Sequence, residues 1–450
     1  MSRRRIGVWG HYHGGNIGDD IVVSTLISQI RHRLPEHEVY GFSLNPRDTA
    51  ARHGVPSHSL DGSAVHHPPT KGARGSADEA EDHGSGAGSG DPGSKGGEPQ
   101  LGGLRRLISA LKRIPGVPRL FRLIWHVRTS LRIWRILRGF DAVVVAGSGP
   151  VFDDMGGAWV HPYNLFRWSL LSRMAGARFI LLNAGAGPVH HRLSRWFLKW
   201  ALRLASYRSF RDQASVELAM SLGVQGPDLC VADSAFAVEE TEIDAAVRDP
   251  ITASRPLVGI GTMAYMDPRY WPNADVAIYR SYLAALAELS EWLLGQGFDL
   301  VLLKSQRRAD ARPAGELLDL LAGAPSTFDS SRVLNLPTES HRDLLKQIAG
   351  CEFVVGGRFH LHVLPFLLGK PVLGVSYHPK TEELMVGMGQ EDLFLSMDSV
   401  TGDGLIRLCK QLLETRSEIE GRIHGEVMAR RKALIDQFDH VFSSDGWARD

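Results

Sequence analysis

The chain has 450 residues, of which 43% are hydrophobic and 22% charged, and its formal net charge is +1. That length exceeds one ordinary core and sets an expectation of two soluble globular domains, while the near-zero charge speaks against a general nucleic-acid binder. Cys230, Cys351 and Cys409 stand far apart with no CxxC pair, which excludes a disulfide framework or a zinc site by spacing and suits a reducing cytoplasm.

The opening MSRRRIGVWG passes from arginines straight into a predicted strand, Arg5–Trp9, without the apolar stretch and cleavage site of a signal peptide. No uncharged run reaches the length needed to span a bilayer. A cytoplasmic protein is therefore expected. The strand leads into a glycine-rich turn, Gly10 to Asp20, and a helix over about 21–34. Glycines at such a turn let backbone approach a ligand closely, so Gly14, Gly15, Asn16 and Asp19 are candidate binding residues; Asp19 or Asp20 equally suits a helix cap. The turn has neither the Walker nor the dinucleotide spacing.

A second strand is predicted near Val39–Phe42. Residues 61–103 are then mostly Gly, Ser, Pro, Ala and charged residues with no Phe, Trp or Tyr. Such a segment buries too little apolar surface to offset its ordering entropy and reads as a disordered insertion in a loop. Residues 104–138 are basic and amphipathic, divided by Pro115 and Pro118. In the longer part, Leu120, Leu123, Ile124, Val127, Leu131 and Trp134 form an apolar stripe expected to pack on the sheet. The Leu104–Arg113 part is a candidate for peripheral contact with an anionic membrane at its inner face.

Strands are next expected at 141–146, 179–183 and 206–210, each running into a glycine or charged turn that carries Gly147 and Asp153, Gly185, or Arg211. Repeated strand–glycine–helix units imply a parallel, doubly wound sheet in a first domain of residues 1–245. A polar stretch around 238–256 marks the boundary. A second α/β set, 255–400, has strands at 257–261, 300–303, 333–334 and 353–355, and a helical tail occupies 401–450.

The most informative stretch runs from Phe353 to Lys380. An apolar strand turns through Gly356-Gly357 into a helix with Arg358 and His360 at its start; a further strand leads to Tyr377, His378 and Lys380. In a βαβ unit ligands sit beyond the strands' carboxyl ends. A helix start offers unpaired N–H groups to an anion, and an arginine fork suits carboxylate or phosphate. His362 reads as an inward-facing histidine with no chemical role. Two Rossmann-like domains facing a central cleft are the expected architecture.

With these blocks in order, the chain resembles the polysaccharide pyruvyl transferase family. The carriers are GHYHGGNIGDD, VVVAGSGPVFDD, LLNAGAGPV, SYRSFRDQASVELAMSLGV, CVADSAF and VVGGRFHLHVLPFLLGKPVLGVSYHPK, which span most of residues 5–389 apart from the insertion and the basic stretch. The family often has three glycines where Gly147-Ser148-Gly149 stands, and Asp-Pro-Ala-Phe in place of Asp233-Ser234-Ala235-Phe236. The resemblance implies a GT-B-like fold, phosphoenolpyruvate as donor substrate with no cofactor or metal, and a sugar or lipid-linked oligosaccharide as acceptor. By motif, it implies that Arg358 and His360 hold the donor while Arg211 faces them from the other domain. Two arginines suit a ligand with one carboxylate and one phosphate. His360, with an ordinary pKa near 6.5, is the expected proton donor to the enol carbon; Lys380 would neutralise the departing phosphate, and Asp19 or Asp153 would relay sugar protons. A nucleotide-sugar glycosyltransferase or a non-catalytic protein of the same fold are the alternatives left open.

Overall fold

The computed structural model describes residues 4–10, 15–68, 117–147, 149, 151–153, 156–225, 229–271, 274–323 and 329–443. The first sheet contains β1 (Arg4–Trp9), β2 (His37–Ser43), β3 (Ser57–Ser59), β4 (Val65–His66), β5 (Ala142–Val145), β6 (Arg178–Ala184), β7 (Tyr207–Phe210) and β8 (Leu229–Cys230). Their spatial order is β4-β3-β2-β1-β5-β6-β7-β8. Every pair is parallel except β3 with β4. Ala142, Val143, Val144 and Val145 are all fully buried, as expected of a parallel strand covered on both faces.

Around this sheet lie α1 (Ile17–Arg33), α2 (Pro46–His53), α3 (Val117–Leu137), α4 (His161–Ala175), α5 (Arg192–Leu204) and α6 (Gln213–Ser221). Helix α7 (Glu240–Arg248) leads to the second sheet, whose strands are β9 (Leu257–Gly261), β10 (Asp299–Leu303), β11 (Val333–Leu334), β12 (Cys351–Gly356), β13 (Val372–Ser376) and β14 (Phe394–Ser396). All its pairs are parallel, in the order β11-β10-β9-β12-β13-β14. It carries α8 (Val276–Gly295), α9 (Arg307–Ala322), α10 (His341–Ala349), α11 (His360–Leu367) and α12 (Pro379–Gly387). In each sheet the strand order reverses beside a central strand, β1 or β9. The crevices at the carboxyl ends of β1/β5 and β9/β12 are therefore the natural ligand positions.

Two expectations about the middle of the chain change. The insertion was placed from residue 61, yet Ser63 and Ala64 hydrogen-bond back to Asp61 and Ser59, and β4 pairs with β3; residues 69–103, and the 104–116 part of the basic stretch, lie outside the described residues. In α3 the middle of the predicted packing stripe points outward: Ile124, Val127 and Leu131 are 45–50% exposed, whereas Thr129, Ile133 and Leu137 are buried and Trp134 is half-buried against the core. The inward face is set by its neighbours. The Arg167 guanidinium of α4 donates to the Thr129 hydroxyl at 3.3 Å, and Ile133 and Leu137 join Trp9, Phe42 and Trp168 in the core beneath.

The last helix, α13 (Gly402–Val441), has 40 residues and so runs about 60 Å. Its beginning packs on the second domain through Leu405, Leu408 and Leu412. Its end is tied to the first: Arg431 donates to the Phe236 and Val238 carbonyls, each at 3.0 Å, Gln437 donates to the Tyr207 hydroxyl at 3.1 Å, and Arg33 pairs with Asp439 at 2.7 Å. One helix straps both sheets together.

Candidate active site

The glycine turn after β1 is docked on the second domain. Gly15, at φ 100°, accepts the Arg307 N–H at 2.9 Å, and the Ile17 N–H donates to the Ser305 carbonyl at 2.8 Å. Asn16 caps α1: its side-chain oxygen accepts the Gly18 N–H at 3.0 Å, and its amide donates to Asp19 at 2.9 Å. The next contact crosses the cleft. A Cβ on Gly18 would stand 2.0 Å from His360 Nδ1, so α1 approaches the imidazole as closely as only a glycine permits.

His360, the first residue of α11, is 8% exposed. Among the described residues its Nε2 has no hydrogen-bond partner, and it lies 3.9 Å from Asp233 Oδ1 of the first domain. Burial pushes its pKa down to about 4; Arg211 and Lys380 act in the same direction, against the pull of Asp233. The ordinary pKa near 6.5 expected of His360 is thus corrected: a desolvated imidazole in the field of two cations is neutral at pH 7.

Arg211, at the end of β7, donates to Asp233 at 2.7 Å and to the Gly147 carbonyl at 3.3 Å, with Asp212 at 3.8 Å. Its guanidinium lies 4.6 Å from the centre of the Phe359 ring, and Lys380 Nζ is 5.9 Å from the same ring. Two cations from opposite domains so share one aromatic ring. A Cβ on Gly185 would come 2.6 Å from the Arg211 guanidinium, and one on Gly147 would come 2.2 Å from the Asn183 carbonyl; small residues make room for the arginine. Burial, followed by Arg211, pulls the Lys380 ammonium down to about 8, with Asp212, Asp19 and Asp233 opposing, and it remains charged at neutral pH. Burial raises the Tyr377 hydroxyl, while Arg358 and Arg211 both pull it back.

Arg358 sits in the turn ahead of α11 and already has a partner. Its Nε and Nη2 bond to the Asp310 carboxylate at 3.0 and 2.5 Å. Asp310 is fully buried and also accepts the Gln306 N–H at 2.7 Å; burial pushes its carboxyl up against the opposing field of Arg358. The backbone part of the expected anion site changes as well. The N–H groups of Leu361 and His362 are turned onto the Arg358 and Phe359 carbonyls at 2.9 and 3.0 Å, so those two donors are spent within the turn. His362 is fully buried, its Nδ1 2.9 Å from the Arg358 carbonyl.

The structure gathers Asn16, Asp19, Gly147, Arg211, Arg358, His360, Tyr377 and Lys380 at the facing sheet edges. Asp153 is elsewhere occupied. It is buried, and although burial opposes its charge, the His191 and His190 N–H groups, each 2.9 Å away, hold the carboxyl below its usual range. That is a clamp on the loop after β6 rather than a proton relay. Gly14 lies outside the described residues, and Asp20 pairs with Arg52 at 3.1 Å. Gly185, expected at this edge, joins them, as do Asp233 and Phe359 from the quoted blocks; Asp310 and Gly18 complete the cluster without having been singled out, because their roles are contacts made across the fold. A cavity of about 430 Å³ opens here, walled by Arg211, Asp233, Phe359 and Lys380 and by Ala429 and Arg430 of α13. Among the described residues, no three His, Cys, Asp or Glu side chains gather as a metal cluster.

Two largely parallel sheets with a cleft between their carboxyl edges define a GT-B-like architecture, and solved structures share it. UDP-GlcNAc 2-epimerase from Neisseria meningitidis bound to UDP-GlcNAc superposes with a TM-score of 0.54 at 12% identity, covering 97% of this chain and 99% of its own. The α,α-trehalose-phosphate synthase (UDP-forming) of Burkholderia vietnamiensis gives 0.54 at 12% identity, covering 99% and 97%. At such identities the likeness is one of fold. The sequence goes further: the polysaccharide pyruvyl transferase family matches residues 16–379, and the chain belongs to it. The amylovoran biosynthesis protein AmsJ of Erwinia amylovora is 22% identical over 309 residues, 66% of this chain and 71% of its own length. A transferase role in polysaccharide modification follows.

Proposed function

We propose that the protein transfers pyruvate from phosphoenolpyruvate to a sugar of a surface or exported polysaccharide, or of its lipid-linked precursor, as a cyclic ketal. The observation that carries this reading is a buried His360 whose Nε2 has no hydrogen-bond partner among the described residues, beside Phe359, whose ring both Arg211 and Lys380 approach. A donor bearing both carboxylate and phosphate brings negative charge beside the imidazole and raises its pKa, so His360 takes up a proton as the donor binds. It gives that proton to the methylene carbon, and C2 becomes electrophilic. One sugar hydroxyl attacks C2 and loses its proton; the C2–O bond to phosphate breaks, and the leaving group is met by Lys380 and Arg211. A second hydroxyl then adds to C2 and closes the ketal, its proton leaving with phosphate. Asn16 and Asp19, at the mouth of α1, are the residues placed to meet the acceptor.

The test is incubation of the purified protein with carbon-labelled phosphoenolpyruvate and repeat-unit glycans. Acceptor-dependent phosphate release with label transferred to the glycan is the expected result. Turnover of nucleotide sugars with no consumption of phosphoenolpyruvate would overturn the proposal.

A further inference from the structure

The charge of this chain is not spread evenly. From Val117 to Phe140, and again from Gly156 to Arg211, there is no acidic residue, so the chain's acids are concentrated elsewhere. These stretches supply α3, α4 and α5, which lie side by side on one face of the first sheet over the core of Trp9, Phe42 and Trp168. Their outward surface should be polar if it met only water. Instead Trp125, Trp159, Trp196 and Trp200 are 51%, 61%, 48% and 39% exposed. Ile124, Val127, Leu131 and Met174 are exposed with them.

The rings form one band. Trp125 meets His126, His126 meets Tyr163, and Tyr163 meets Trp159 and Phe197; Phe197 contacts Trp196, which contacts Trp200, with each step between centroids 5.0–6.4 Å. Beside it an apolar crevice of about 460 Å³ opens between α3 and α4, lined by Val127, Leu131, Trp134, Leu171 and Met174. Arg128, Arg135, Arg173, Arg192 and Arg203 are exposed around the band. Isolated exposed apolar residues need no explanation, but a contiguous aromatic band does.

We infer that the outer face of α3, α4 and α5 docks on an anionic lipid bilayer. Amphipathic tryptophans partition to the level of the headgroups, and arginines draw the surface to acidic lipids. Neither term alone holds a protein on a membrane, whereas the two together do. A second copy of the chain is the poorer fit, because a two-fold contact would set one wholly basic face against another. The surface starts at Trp159, in the short 3₁₀ turn that follows the loop of Asp153, and extends away from the cleft. The bound protein so keeps the mouth of the cleft open beside the headgroup layer.

The experiment is co-sedimentation of the full chain with vesicles of phosphatidylcholine alone or mixed with phosphatidylglycerol, at low and high salt, alongside quenching of tryptophan fluorescence by brominated lipid. It needs neither donor nor acceptor, so its outcome is separate from that of the pyruvyl-transfer assay. Binding is expected only with the anionic vesicles, weakening with salt and accompanied by quenching. Arg128→Glu with Arg192→Glu lowers binding by roughly tenfold or more, and Trp196→Ser with Trp200→Ser reduces the quenching while circular dichroism remains unchanged. Absence of binding to anionic vesicles at low salt, or a dimer in light scattering that shields the tryptophans from soluble quencher, would overturn the inference.

Discussion

The two sheet edges that face each other across the cleft solve the same problem differently. Each presents an arginine held by an aspartate. In the second domain Arg358 forks onto Asp310, which is fully buried, and both belong to one domain. In the first domain Arg211 meets Asp233 through one guanidinium nitrogen, stacks on Phe359 of the opposite domain, and shares Asp233 with His360 at 3.9 Å. One pair is a fixture of its own fold. The other is also a pair within one domain, but it alone touches the opposite domain, through Phe359 and His360.

The largest effect expected is on turnover. His360→Ala should lower acceptor-dependent phosphate release by roughly two to four orders of magnitude, the usual worth of a placed acid–base group; near-normal rates would remove His360 from the mechanism. The contrast between the arginines is sharpened by their aspartates. Asp310→Asn leaves a cation bound to an uncharged partner in the interior and should cost about 3–5 kcal/mol in urea unfolding. Asp233→Asn leaves Arg211 with the Gly147 carbonyl and Asp212, so about 1–3 kcal/mol is expected. Equal costs would erase the distinction.

Protonation gives a third handle. His360 and His362 both have pKa values pushed down to about 4 by burial, against 6.5 in the unfolded chain. Between those values the unfolded chain binds more protons, so stability is full above about pH 6.5 and falls as the pH drops toward 4. Urea midpoints measured across that range should decline, and the His360→Asn, His362→Asn double variant should show a flatter slope. A smaller effect is expected of Gly18→Ala. Its Cβ would displace the imidazole, which predicts an overpacking cost of about 1–3 kcal/mol together with reduced turnover.

Much of this molecule was legible in its sequence. Parallel strands buried on both faces appear as apolar runs such as Ala142–Val145, and glycine or charged turns after them mark the functional edge. Arg358, His360 and Lys380 stood out because three chemical residues follow two strands of one βαβ unit. What could not be read depends on contacts between distant segments. Gly18 looked like any helix-start glycine until His360 was placed against it, and Asp310, on a helix of ordinary composition, gives no local sign of partnering Arg358. The charge state of His360 is a property of its burial. The stripe on α3 misled for a related reason: periodicity reveals that a helix has an apolar face, but not whether the sheet or something else covers it.

The strap helix α13 carries Gly421 and Gly425 near its centre, between the part seated on the second domain and the part seated on the first. A Cβ at either would meet nothing within 4 Å, so packing does not demand them, and each Gly→Ala change should raise stability by about 1 kcal/mol in thermal unfolding. Both ends of this rod are anchored and Ala429 and Arg430 wall the cavity. The buried side chains of Ile419, Ile423 and Val427 hold this central turn against the core, so the two glycines soften the rod on its outer face while its inner face stays seated.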